Sequence, residues 1–155
     1  MSRRHILGAA AVVTALAAQT AAAAGDPVAA VKVDLAKLQA DAAAARATIV
    51  PDAQKLAAAA AAAKGSARAE AVAAVKPDLM QLRSDVKAAR TQLAGDRAQL
   101  KADLAAAKGM NGARKQLTPV VKSTRTALKA DRSAIRDALK QARQAVQDLR
   151  ASFKK

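Results

Sequence analysis

Apolar residues recur along most of this chain at alternating steps of three and four. Leu35, Leu38, Ala42, Ala45 and Ile49 form one run, and Leu79, Leu82, Val86, Ala89 and Leu93 a second. A third comprises Ile135, Leu139, Ala142, Val146, Leu149 and Phe153. That period holds one stripe on one face of an α-helix and is the spacing of knobs-into-holes packing. Asp26 with Pro27, Ser66, and Thr118 with Pro119 read as helix starts; Lys64-Gly65 and Lys108-Gly109 read as stops. The pattern predicts helices over about 27–64, 67–108 and 119–152. Short connections make sequence neighbours antiparallel. The expected fold is all-α, an antiparallel three-helix bundle or coiled coil, with an extended array or a homo-oligomeric coiled coil as the alternatives.

The helices are related by duplication. Residues 72–79 restate residues 28–35 at an offset of 44, and the same offset carries Leu38, Asp41, Arg46, Asp52 and Leu56 onto Leu82, Asp85, Arg90, Asp96 and Leu100. A fainter third copy begins at Pro119. Pro51 and Pro77 lie on either side of Gly65 and would meet in a hairpin. Each removes a helical hydrogen bond and crowds the preceding turn, which predicts breaks there and a semi-detached tip at residues 57–63.

The first 24 residues do not fit the bundle. Arg3, Arg4 and His5 form a positive start, residues 6–18 an uncharged apolar run, and residues 21–24 a small-residue cleavage site. This is the layout of a cleavable secretory signal, too short to span a bilayer. Residues 25–155 then form a single helical domain, expected in the periplasm or outside the cell. Residues 2–7 resemble the twin-arginine export consensus. No basic residue lies between the apolar run and the cleavage site, which favours Sec export.

Composition narrows the chemistry. Twenty-seven Lys and Arg face twelve Asp and Glu, and removing the leader lowers the net charge from +15 to +13. The only histidine is His5 in the leader, and there is no cysteine. The common bases, nucleophiles and soft metal ligands are therefore missing. Aspartates seven apart on one helix are about 10 Å apart, too far to share an ion. The expectation is a non-enzyme with no cofactor and no metal. Large apolar residues are scarce, and alanine, the best helix former, takes their place at the contacts. None of the ten aspartates from Asp34 onward has a basic residue four positions later. They flank the apolar stripes instead, where they can pair across helices and set register.

Positive charge accumulates towards the end of the chain. Residues 26–65 carry a net +1, residues 66–110 a net +3 and residues 111–155 a net +9. Lys122, Lys129, Arg136, Arg143 and Arg150 repeat every seven residues; Lys140 lies beside them, and Lys154 and Lys155 extend the positive end. These eight are the candidate polyanion-binding residues. Arg125 and Arg132 fall on the expected seam. Outside the cytoplasm the candidate partners are lipopolysaccharide, peptidoglycan and anionic lipid. Nucleic acid is disfavoured by the export signal. The expected function is a non-catalytic envelope scaffold or spacer whose basic third helix docks on such surfaces. The alternative is an ATP-independent periplasmic chaperone. Leu117-Thr118-Pro119 at the head of a basic amphipathic helix resembles the start of the LTxxQ motif of small helical envelope-stress chaperones. That resemblance implies an all-helical secreted protein that holds client proteins. Val121 stands where that family has Gln, and the motif has no second copy.

Overall fold

A computed structural model describes residues 25–154. The proposed leader and Lys155 lie outside the described residues. Three α-helices follow in order: α1 (Pro27–Ala62), α2 (Arg68–Ala107) and α3 (Ala113–Ser152), of 36, 40 and 40 residues. At 1.5 Å per residue they are rods about 54–60 Å long. The all-α three-helix fold read from the apolar period is the fold observed.

Local chemistry accounts for most of the ends. Asp26 Oδ1 accepts a hydrogen bond from the Val28 N–H at 2.8 Å, and Pro27 sits where its missing donor would have had no partner. Gly65 (φ 91°) and Gly112 (φ 77°) make the two reversals in the left-handed region that a side chain resists. Two expected starts are displaced. Ser66 does not cap α2; Ala67 precedes it with no side-chain cap, and only Glu70 complements the positive end. Helix α3 begins at Ala113 rather than Pro119. The Thr118 hydroxyl, instead of capping, bonds back to the Arg114 carbonyl at 2.7 Å. The added turns are held by Ala113 and Leu117, which pack with Val28, Val31, Leu35 and Ala107.

The expected breaks are absent. Pro51, Pro77 and Pro119 all lie within continuous helix. Each proline is exposed, as are Ala47, Ala73 and Lys115, whose carbonyls lose their intrahelical donors. Water can satisfy those carbonyls, while buried Ile49 and Ala53, Val75, and Leu117 hold the helix beside each proline. Around Pro51 the buried stripe takes two consecutive steps of four, Ala45–Ile49–Ala53, a stutter that locally unwinds the contact line. Residues 57–63 are also docked: Ala60 and Ala63 are buried beside Ala71 in the larger core cluster.

Helix α1 is central. Both α2 and α3 pack along it and make no comparable contact with each other. Lys32 donates to Gln116 at 3.3 Å, Arg46 pairs with Asp131 at 3.2 Å and Lys64 with Asp148 at 3.9 Å. The constant offset of 84–85 residues means that α1 and α3 run parallel. Lys37 with Asp96 and Lys55 with Asp78 (2.8 Å) run in opposite senses along α1 and α2, which are antiparallel. The aspartates thus pair across helices, as their position beside the stripes implies. On α3 the buried line passes through Thr124 and Asp131; Arg125 and Arg132, expected on the seam, are exposed.

The interior has two apolar ends. One cluster contains Ile49, Leu56, Leu82 and Leu149, the other Val28, Val31, Leu35 and Leu117. Between them lies a polar layer in which Lys37 bridges Asp41 and Asp96, Gln92 also donates to Asp41, and Arg46 holds buried Asp131. Asp34, Asp41 and Asp52 of α1 also face Asp103, Asp96 and Asp85 of α2, because steps of seven and eleven are close to whole turns. Burial, then the Asp103 carboxyl beside it, pushes the Asp34 pKa up to about 6. Asp85 likewise raises Asp52. Burial alone would raise Asp41, but hydrogen bonds from Lys37 and Gln92 and with Asp96 hold it below the usual range.

Leu35→Ala, which deletes a buried contact of α1, is expected to cost about 2–4 kcal/mol in urea unfolding followed by circular dichroism. Val72→Ala, at 53% exposure, should stay within about 0.5 kcal/mol. A carboxyl raised on folding stabilises fully below its unfolded pKa and loses that contribution as pH rises through the folded value. Stability should therefore fall between about pH 4 and pH 6 as Asp34 ionises. Asp34→Asn should remove most of that slope and raise the melting temperature at pH 7.

Candidate anion-binding groove

Because α2 and α3 share α1 without closing on each other, their apolar stripes are only half covered. Leu79, Val86, Leu139 and Val146 are intermediate in exposure, whereas Leu35, Leu38 and Ile49 of α1 are buried. The duplication makes this contrast direct, since Leu79 and Val86 occupy the repeat positions of Leu35 and Ala42. Leu79 and Leu35 are the same residue, so the difference there is position in the bundle, not residue type.

The uncovered stripes bound a groove of about 660 Å³. Leu56 of α1 lies among its lining residues with Leu82 and Ala142, and Leu79, Val86, Leu139 and Val146 complete the apolar lining. Arg83, Lys87 and Arg90 of α2 and Arg143 and Arg150 of α3 supply all its charged groups; no carboxylate lines it. Arg83 and Arg90, like Arg143 and Arg150, are seven apart and so share a face of their helix. All five are exposed, and none forms an ion pair with a described carboxylate. The aspartates lie elsewhere. Asp41 and Asp85 line a smaller crevice of about 310 Å³ between α1 and α2.

No protein-family model, no curated protein and no solved structure matches this chain. The functional argument therefore rests on this surface.

The seven-residue basic stripe is divided by the fold. Arg143 and Arg150 reach the groove, while Lys122, Lys129, Lys140 and Lys154 are exposed away from it with no ion pair among the described residues. Arg136 sits beside Asp137 at 3.9 Å and donates to Ser133 at 3.4 Å, so part of its charge is locally answered. A strict seven-residue repeat drifts about 20° per heptad on a straight helix, which is why one stripe does not address one place. The α2 cations were hidden in the sequence by the neighbouring aspartates. Those aspartates turn towards α1, leaving Arg83, Lys87 and Arg90 at the groove. Their signal was the heptad spacing of Arg83 and Arg90, which net charge per segment obscures. The aspartates seven apart do not converge either: among the described residues no cluster of three or more metal-binding side chains forms.

The half-covered walls should contribute less to stability than the buried lining. Leu82→Ala, at 5% exposure, is expected to cost about 2–4 kcal/mol. Leu139→Ala should cost roughly half as much, because that side chain already meets water and leaves a smaller cavity. Parallel urea melts of the two variants compare them.

Proposed function

We propose that this protein is an exported, non-catalytic helical scaffold of the cell envelope that docks on anionic components through its α2–α3 face. The observation that carries the reading is the segregation of charge. Cations without ion-pair partners flank a groove with no carboxylate, while most aspartates lie along the seams of α1. Lys122, Lys129 and Lys140 extend the positive surface along α3. Such a surface attracts polyanions over about a Debye length and releases them as salt rises. Export places lipopolysaccharide, peptidoglycan and anionic lipid within reach. No helix among the described residues is long and apolar enough to cross a membrane, so attachment would be peripheral. Neither His nor Cys is present after the leader, which supports a binding role over a catalytic one.

The half-exposed leucines and valines of the groove favour a second reading, ATP-independent holding of unfolded client proteins. An aggregation-suppression assay with a model client separates the two. A surface binder leaves aggregation unchanged at stoichiometric ratio.

The protein is expected to co-sediment with vesicles containing anionic phospholipid and to be released by 0.5 M salt. Reversing Lys122, Lys129 and Lys140 together to Glu should weaken co-sedimentation at least tenfold with an unchanged thermal melt. Binding that resists salt, or that is equal on neutral vesicles, would overturn the proposal.

A further inference from the structure

We infer that the α2–α3 groove is a lipid seat, taking one acyl chain of a phosphate-headed lipid along its apolar lining with the headgroup held at its arginines. This deepens the anionic-docking reading and rests on it for the headgroup, while the chain seat stands on the groove itself. Three observations carry it. The lining combines a continuous apolar surface (Leu79, Leu82, Val86, Leu139, Val146) with cations that lack carboxylate partners. That is the complement of an anionic amphiphile, neither of a neutral apolar ligand nor of a simple ion. Four of the five cations are arginines, whose planar fork binds phosphate oxygens in pairs.

Charge decides between occupants. The α2 wall runs from Leu79 to Thr91, about 18 Å at 1.5 Å per residue, and the groove's volume of about 660 Å³ lies within the range of small-molecule pockets. A second copy seated through this face would set its own five cations against these five, with no carboxylate on either side. A single-chain anionic amphiphile answers the cations with its headgroup and the apolar lining with its chain.

Isothermal titration of the protein with alkyl phosphates of 8, 10 and 12 carbons, each below its micelle-forming concentration, tests the seat. Affinity should rise about fourfold per added methylene, the factor for burying one methylene group. Inorganic phosphate and the uncharged 12-carbon alcohol should each bind at least tenfold more weakly than the 12-carbon phosphate. Arg83→Glu with Arg143→Glu, both at exposed positions, should weaken the 12-carbon phosphate at least tenfold. Val86→Phe with Val146→Phe fills the groove from half-exposed positions. With a retained helical spectrum and melt, it should flatten the chain-length dependence. Affinity independent of chain length, undiminished binding to the filled groove, or a dimer in sedimentation equilibrium that the filling variant dissociates would overturn the lipid seat. Loss of vesicle binding alone, with chain-length dependence intact, would instead remove the surface-docking reading and leave the seat standing.

Discussion

The contact between the buried face of α1 and its two neighbours is what the rest of the molecule depends on. Large apolar side chains are few in this chain, and α1 concentrates them where they are covered from two sides at once. Val28, Val31, Leu35, Leu38, Ile49 and Leu56 are all buried, with alanines at the positions between them. Alanine lets the helix axes approach closely but removes little apolar area from water, so each contact leans on these larger side chains. Helices α2 and α3 are consequently satisfied through α1 and stay apart. The groove between them follows from that arrangement, with Leu79, Val86, Leu139 and Val146 left half covered.

Charge then divides along the same line. A long helix with a thin apolar stripe is poorly held in register by packing alone, because alanines one turn apart look alike to a neighbour. Aspartates beside the stripes supply what alanine lacks: Asp78, Asp96 and Asp131 each meet one basic residue of α1, and Asp148 meets Lys64 in the turn that follows it. Individually such exposed or half-exposed pairs contribute about 0–1 kcal/mol, so their value lies in choosing one register over the next. The acids are placed in the seams, and Arg83, Lys87, Arg90, Arg143 and Arg150 remain outside with nothing opposite. A structural demand on the aspartates and a candidate binding surface thus have one origin.

Within the α1–α2 seam the same economy creates repulsion. Asp34 faces Asp103 and Asp52 faces Asp85 without an intervening lysine as close as Lys37 is to Asp41 and Asp96. Burial and the carboxyl opposite raise the pKa of Asp34, and the carboxyl opposite raises that of Asp52, whereas Lys37 holds Asp41 below the usual range.

The apolar period by itself determined the helices, their number and the contact face of α1, because helix formation and amphipathicity are local and repeat over many turns. The Asp26 cap and the turn at Gly65 were legible for the same reason. The local cost of proline predicts breaks that burial on either side overrides. Pro51, Pro77 and Pro119 face solvent, where water serves the carbonyls they strand, and packing on both sides holds the helix. The start of α3 is not legible locally, because Ala113 and Leu117 gain their partners only from α1 and α2. The eight basic residues chosen from charge density included Arg143 and Arg150 but not Arg83, Lys87 or Arg90. Counting charge along the chain cannot show which cations lose their carboxylates to another interface. Which of two duplicated helices becomes the centre was likewise decided only in three dimensions. Sequence specifies each stripe, but only the fold determines how many neighbours cover it.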